Sequence, residues 1–351
     1  MKIVARVLWI LVVACPPVLA QVTAVSSPTP ESPNTTILAE VDGRALTEAD
    51  LDRKKVGTLL QARYNYYMSQ RKALDQLVDD ELIALAAERK HVPVDKFLEA
   101  EVYKGIKDPT EDQLQVYYEG METEESYVAV HDRLIEHIRQ LRRDKARAAF
   151  VKTLHEQANL QILLSPPAAD VNLQDVHVHG QKDAPVVLVE FADYECPYCQ
   201  KVNPLLQKLK DEYGDKLAIA YKDFPLPMHH RAQKAAEAAR CAGEQGKYWE
   251  YHDVLYYSRM LDISDLKKHA QVLKLDEAEF AKCLDSGSQA EAVKKDLEEG
   301  KALALPGTPS FFVNNHFFHG AVDYDTLREM VEQQLRAKSS PHSVVQTASS
   351  K

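Results

Sequence analysis

The sequence is poor in cysteine, has no long apolar stretch and carries no excess of positive charge. Its net charge of −10 over 351 residues argues against a nucleic-acid-binding protein, which normally presents a basic face. An apolar run at residues 7–14 is too short to cross a bilayer and is soon followed by Pro16-Pro17. Hydrophobic residues make up 45% of the chain and charged residues 27%, which is typical of a globular protein with room for two domains.

The start of the chain has the pattern of an export signal. Lys2 and Arg6 precede the apolar run, and Val18-Leu19-Ala20 offers small residues for cleavage. We therefore predict a signal peptide at residues 1–20 and a periplasmic or other extracytoplasmic location. The competing interpretation is a bacterial lipobox, Val12-Val13-Ala14-Cys15, in which Cys15 carries a lipid and the protein is a lipoprotein. Both interpretations predict export.

Composition and hydrophobic period divide the rest of the chain. A change from helical spacing to short apolar runs places a domain junction near Pro166-Pro167. The predicted fold class is an α/β domain with a helical insert, preceded by a mainly α-helical domain. The predicted segments are a flexible linker at 21–36, a helical domain at 37–164, an interdomain linker at 165–185, an α/β domain at 186–337 and a disordered tail at 338–351.

The α/β domain has a recognisable order of elements. Residues 186–191 form an apolar run typical of a central strand, and residues 217–221 alternate as a second strand. A helical insert follows at about 228–304. Asn314-Asn315, between two phenylalanine-rich segments, is suited to the positive φ of a hairpin turn. The predicted order is strand, helix, strand, helical insert, hairpin, helix.

The chemistry is carried by Cys196-Pro197-Tyr198-Cys199, which follows the first of these strands. A sulfur at a helix N-terminus faces unpaired N–H groups and the positive end of the helix dipole, so we expect a lowered pKa and high reactivity for Cys196. Pro197 suits the first helical turn, and Cys199 would act as the resolving thiol. Two alternatives compete: a zinc site completed by His229 and His230, and a purely structural disulfide.

These residues carry a resemblance. Residues 189–199 together with 307–314, which include Thr308-Pro309, resemble the DsbA-like branch of the thioredoxin superfamily over about residues 176–335. The 113 positions between Cys196 and Pro309 leave room for the helical insert of that branch. The resemblance implies a thioredoxin-like fold, a redox-active disulfide between Cys196 and Cys199, disulfide formation or isomerisation in client proteins, and neither a metal nor another cofactor.

The resemblance also implies roles for further residues. Pro309 matches a cis-proline whose neighbour Thr308 pairs with a client peptide, and Pro197 and Tyr198 would contact the client as well. Glu190 matches a buried acid with a raised pKa that relays the proton of Cys199. A trans proline in a turn, and a glutamate merely paired with a lysine, are the alternatives for Pro309 and Glu190.

The same resemblance implies a structural disulfide between Cys241 and Cys283, bridging two helices of the insert. It leaves the direction of exchange open. Tyr198 stands where DsbA itself has histidine, and Thr308 where DsbA itself has valine and the isomerase relatives have threonine. Oxidase and isomerase activity are therefore both compatible with the sequence.

The N-terminal half resembles the helical module of SurA-type periplasmic chaperones, through residues 41–47, 73–78 and 108–111. This implies that it holds unfolded clients near Cys196; a spacer or homodimerisation domain is the alternative. A holdase chaperone with a non-catalytic disulfide is the alternative function for the whole chain. The expected partners are unfolded or cysteine-containing client proteins and a membrane redox recycling partner, with no nucleic acid.

Overall fold

The computed structural model describes residues 36–320 and 322–339, and the chain forms two compact units, residues 1–54 and 55–351. The predicted signal peptide with Cys15, nearly all of the predicted linker at 21–36 and all but the start of the predicted tail lie outside the described residues. No helix among the described residues is both long and apolar enough to cross a membrane.

The first unit contains a hairpin and a short helix. Strands β1 (Ile37–Val41) and β2 (Arg44–Thr47) pair in antiparallel fashion, and helix α1 (Glu48–Lys54) follows. Asp42 and Gly43 form the turn with φ of 49° and 79°. Thr47 and Asp50 cap the start of α1 reciprocally: the Asp50 carboxylate accepts from Thr47 N at 3.1 Å, and the Asp50 N–H donates to Thr47 Oγ1 at 3.2 Å.

The second unit opens with long helices. They are α2 (Val56–Arg89), α3 (Val94–Phe97) with a π-helical turn at Leu98–Val102, α4 (Glu111–Glu119) and α5 (Tyr127–Gln157). Thr110 and Gln113 cap the start of α4 reciprocally. The helices enclose two small apolar clusters, one around Ile83 and Phe97 and one around Leu114 and Leu134. The N-terminal region is thus mainly helical, as predicted.

A five-stranded sheet forms the centre of the C-terminal α/β domain. Its strands are β3 (His177–His179), β4 (Val186–Ala192), β5 (Leu217–Asp223), β6 (Ser310–Val313) and β7 (His316–His319), in the order β3-β5-β4-β6-β7. Strands β4 and β5 are parallel, and the other pairs are antiparallel. The Asn314-Asn315 turn has φ of 45° and 71°, as predicted. The predicted fold class is confirmed.

Strand β3 lies inside residues 165–185, which the sequence predicts as a linker. His177 and His179 pair with Tyr221 and Ile219 of β5, so this segment is an edge of the sheet. A further bridge joins Ala168 to His316. Three residues of pattern His-Val-His are too few to show a strand period, and the pairing is recognisable only in three dimensions.

Helices surround the sheet and form the insert. Helix α6 (Pro197–Tyr213) follows β4, and α12 (Tyr324–Ser339) closes the domain. Between β5 and β6 lie α7 (Ala232–Glu244), α8 (Tyr248–Ser258), α9 (Ile263–Val272), α10 (Glu277–Ser286) and α11 (Ala290–Ala302), within the predicted insert. Cys241 of α7 and Cys283 of α10 form a disulfide with an S–S distance of 2.00 Å. This bond ties two helices of the insert across 42 positions of sequence.

The first half of α2 packs on the α/β domain. Leu60 and Tyr64 belong to the same apolar core as the sheet, and the Tyr64 ring meets Phe317 of β7 edge-on at 5.0 Å. Arg71 donates two hydrogen bonds to Glu329 of α12, at 2.6 and 2.9 Å. The helical spacing of Leu74, Leu77 and Val78 suggests one apolar face, but Leu77 is 63% exposed. Because α2 packs against two partners along its length, its buried residues change face.

Candidate active site

The loop after β4 is shaped by Asp193, whose side chain is fully buried. Its carboxylate accepts from the backbone N–H of Glu195 at 2.7 Å and of Leu226 at 2.8 Å, and from Nδ1 of His229 at 2.7 Å. Its backbone oxygen accepts from Cys196 N at 3.1 Å. A short side chain that bonds the backbone two residues ahead makes a tight turn. This turn sets Cys196 at the N-cap of α6.

The two cysteines of the motif occupy different environments. Both are free thiols, and Pro197 takes the first helical position between them. Cys199 is 0% exposed, whereas Cys196, at 3%, lies in the wall of an open groove. The next residue of the motif, Tyr198, is 53% exposed. Cys196 is therefore the thiol that a partner can reach, while Cys199 lies behind it.

The segment at Thr308-Pro309 lies against the first cysteine. The Cys196 thiol lies 3.4 Å from the backbone oxygen of Thr308, and the Thr308–Pro309 peptide bond is cis. The Thr308 hydroxyl is buried and has no partner that meets hydrogen-bond geometry among the described residues. The structure thus brings together the predicted residues Cys196, Cys199, Thr308 and Pro309.

Hydrogen bonding lowers the pKa of the Cys196 thiol to about 5, from an ordinary value of 9.0. The largest cause is the Cys199 thiol, which donates to the Cys196 sulfur; the Thr308 hydroxyl and the backbone N–H groups of Cys199 and Tyr198 add to it. Burial acts in the opposite direction but is the smaller effect. At neutral pH the Cys196 sulfur is therefore a thiolate, the form that attacks disulfides.

Burial raises the pKa of both acidic groups beneath this thiolate. Cys199 has a pKa well above its ordinary value, because it is buried, donates to Cys196 and lies near the negative charge of Glu190. Glu190 is 2% exposed, and burial, aided by the Cys196 charge, raises its pKa to about 8. Its Oε1 atom has no hydrogen-bond partner among residues 36–320 and 322–339. The alternative of a glutamate paired with a lysine does not fit this site.

A small cavity of about 10 Å³ adjoins Glu190. Asn203 and His252 also line it, and the two are joined by a 3.2 Å hydrogen bond between Oδ1 and Nε2. His252 Nδ1 contacts the Tyr194 hydroxyl at 3.0 Å, and burial lowers the pKa of His252 to about 3. A cavity of this size and polarity is close to the minimum for one water molecule.

Sequence reasoning missed the part played by Asp193 and His229. From the sequence alone, His229 is a candidate ligand of the alternative zinc site, yet its side chain is 19% exposed and hydrogen-bonded to Asp193, 36 positions away. The sequence does indicate the turn at Asp193, because an aspartate three residues before the cysteine motif is typical of a side-chain-capped turn. Within the part of the chain that the structure describes, no group of three or more His, Cys, Asp or Glu side chains is arranged to hold a metal ion.

An open groove of about 350 Å³ leads to Cys196. Glu195 forms one wall and binds Arg231 through two side-chain hydrogen bonds, at 2.7 and 3.0 Å. The Arg231 backbone N–H also donates to Glu195, at 2.9 Å. The groove is lined by Tyr194, Glu195, Cys196, Gln200, Arg231, Arg259 and Leu261.

Comparison with known proteins identifies the domain that carries this site. The profile of a family described as Thioredoxin matches residues 172–333. A protein of Salinispora tropica named Na(+)/H(+) antiporter NhaA 3 is 38% identical over 157 residues, which are 44% of this chain and 24% of that protein. The chain thus spans about a quarter of the length of the curated relatives it matches. That name describes the whole relative, of which the matched part is one segment.

Two solved structures are similar to the same half of the chain. BdbD from Bacillus subtilis is 23% identical, with a TM-score of 0.45, and the match covers 49% of this chain and 99% of BdbD. The catalytic domain of Proteus mirabilis ScsC is 29% identical, with a TM-score of 0.42, and the match covers 47% of this chain and 92% of that domain. The profile match over residues 172–333 shows that the C-terminal half is a thioredoxin-like domain.

Proposed function

We propose that this protein is a thiol–disulfide oxidoreductase that exchanges disulfides with client proteins through Cys196 and Cys199. The observation that carries the proposal is the opposite shift of the two thiol pKa values, down for Cys196 and up for Cys199. A reactive thiolate at the groove with a protonated thiol behind it is what a nucleophile and a resolving group need.

The reaction follows from this arrangement. In the oxidised enzyme a client thiolate attacks the Cys196 sulfur, the Cys196–Cys199 bond breaks, and Cys199 leaves and is protonated. A second client thiolate then attacks the client sulfur of the mixed disulfide, and Cys196 leaves as a thiolate. The client loses two electrons and two protons and gains a disulfide. The enzyme gains the two electrons and one proton, as the Cys196 thiolate and the Cys199 thiol, and the second proton passes to the solvent. A low Cys196 pKa stabilises the reduced enzyme and favours this direction.

Glu190 is the proton carrier in this scheme. Its pKa of about 8 lies near neutrality, so it is protonated at pH 7 and can exchange a proton when Cys199 changes state. Cys199 needs such a group because burial opposes its ionisation. The charge of Glu190 also raises the pKa of Cys199, so the two groups influence each other's protonation.

Client contacts are assigned to the residues around the groove. Pro197 and Tyr198 are exposed beside Cys196, and Thr308 presents its backbone to the same sulfur. We assign Thr308 and Pro309 to the binding of the client backbone on the other side of the cysteine pair. The export pattern of residues 1–20 supports a location outside the cytoplasm, and there a membrane redox partner would reset the enzyme.

The helical region is proposed to hold unfolded clients near Cys196. Apolar side chains exposed on its helices support this role, with Leu77 at 63%, Val116 at 70% and Val128 at 85% exposure. Holding a client close raises its effective concentration at the thiolate. In the alternative, holdase function, this region alone would bind the client, and the disulfide would not be catalytic.

Two variants test the proposal. Cys196→Ala abolishes disulfide transfer to a reduced client. The single thiolate of Cys199→Ala attacks a client that contains a disulfide, releases one client thiol and accumulates a client–enzyme mixed disulfide at Cys196, seen on a non-reducing gel. Disulfide transfer by Cys196→Ala at the wild-type rate would contradict the enzyme assignment. Client folding that survives in Cys196→Ala, with disulfide transfer lost, would instead identify the holdase. The redox equilibrium of Cys196 and Cys199 with glutathione then gives the direction of exchange, disulfide donation or isomerisation.

A further inference from the structure

The groove beside Cys196 is lined by two arginines, of which one is paired and the other is not paired with any described residue. Glu195 and Arg231 line it as an ion pair, and Arg231 Nη1 lies 3.9 Å from the exposed carboxylate of Asp262. Arg259 lines the same groove and has no ion pair or side-chain hydrogen bond with any residue that the structure describes.

The backbone gives no reason for an arginine at position 259. Arg259 ends helix α8 with φ 57° and ψ 12°, the left-handed conformation in which glycine is favoured. Its N–H caps the helix by donating to Leu255 O at 3.2 Å, which any residue except proline would do. The side chain, rather than the cap, is what the arginine adds, and Arg259 is one of the residues that line the groove.

We propose that Arg259 is a specificity-determining residue that favours client cysteines next to an acidic side chain. This inference rests on the proposed thiol–disulfide exchange and names its preferred substrate class. A client peptide whose cysteine reacts at Cys196 has its neighbouring residues in the groove, where Arg259 is the one lining cation not already paired. A guanidinium binds a carboxylate through two parallel hydrogen bonds, which neither a neutral nor a basic side chain offers.

The test uses three peptides that differ only in the residue beside a single cysteine, which is Glu, Gln or Lys. The oxidised enzyme is mixed with each peptide, and the second-order rate of enzyme reduction is expressed per peptide thiolate. We expect the Glu peptide to react about fivefold faster than the Gln peptide, and the Lys peptide to be slowest. About 1 M salt should reduce these differences, because it screens charges beyond a few ångströms.

Variants assign the effect to one side chain. Arg259→Gln and Arg259→Gly bring the Glu and Gln peptides to the same rate, and Arg259→Lys keeps part of the preference. The glycine variant should not lower the melting temperature, because glycine accepts the left-handed backbone. Lys216→Gln is the matched control; Lys216 is exposed and precedes β5, at the opposite end of that strand from the active site, so the preference persists.

Equal rates for the Glu and Gln peptides with the wild-type enzyme would overturn the role of Arg259 while leaving the exchange reaction intact. A preference that survives in Arg259→Gln would overturn it as well. If no peptide reduces the enzyme, the proposed function itself fails, and the role of Arg259 with it.

Discussion

The Cys196 sulfur lies 3.4 Å from the backbone oxygen of Thr308, a residue 112 positions further along the chain. The same threonine contributes its buried hydroxyl to the lowered pKa of Cys196. One residue thus meets the reactive sulfur with both its backbone and its side chain. By lowering the pKa of Cys196, its hydroxyl stabilises the thiolate and therefore the reduced enzyme.

Replacing Thr308 by valine should raise the pKa of Cys196 by about one unit, because the hydroxyl that helps to lower this pKa is removed with little change of volume. The reduced form is then less stable, and the reduction potential should become more negative by on the order of 30 mV. Thiolate ultraviolet absorbance against pH and equilibration with glutathione measure the two effects. Thr308→Ser, which keeps the hydroxyl, is the control, and an unchanged pKa in Thr308→Val would count against this role.

Alkylation of the reduced protein should occur at Cys196 with a midpoint near pH 5, the value to which its pKa is lowered. Cys199 should stay unmodified at neutral pH, since burial raises its pKa. Cys199→Ala should move the Cys196 midpoint upward by about one unit or more, because the main hydrogen bond to the thiolate is removed. Peptide mapping after labelling at a series of pH values tests this. A midpoint close to that of free cysteine in the wild type would contradict the proposed mechanism.

Replacing Glu190 by glutamine should change how stability depends on pH. The folded protein raises the pKa of Glu190 from 4.5 to about 8, so the folded state retains its proton in that window and the unfolded state does not. Stability is therefore lost as pH rises from 4.5 to about 8, by roughly 3 kcal/mol between pH 4 and pH 7. Glu190→Gln removes this loss. Urea unfolding of the oxidised proteins, in which Cys196 does not titrate, measures this pH-dependent loss of stability. Parallel stability profiles against pH for the wild type and Glu190→Gln would refute the prediction.

The paired replacement Cys241→Ala, Cys283→Ala should lower the free energy of unfolding by roughly 3–4 kcal/mol, because a closed loop of 42 positions is opened. The alkylation midpoint of Cys196 should not move, since the disulfide joins α7 and α10 rather than the elements that hold the thiolate. Denaturant unfolding and alkylation of the same samples test both statements. A shifted midpoint would show that this disulfide is coupled to the active site.

Local patterns predicted much of the fold and of the cysteine site. The buried run of β4, the motif at a helix start and the Asn314-Asn315 turn each reside in a few consecutive residues. The bond between Asp193 and His229 escaped prediction, because it depends on how the loop after β5 folds back over the loop after β4. The exposure of Leu77 was not predicted either. Helical spacing indicates that α2 has an apolar face, but it does not indicate which neighbouring element covers each part of that face.

The packing of α2 on the sheet bears on how the chain is made. Tyr64 packs against Phe317, which lies near the end of the sequence, and Arg71 bonds to Glu329, which lies 258 positions further along the chain. During synthesis the apolar side of this helix therefore emerges long before the surface that covers it. A chain stopped before β7, or a piece begun after α5, would each present one uncovered half of that contact to the solvent or to another polypeptide.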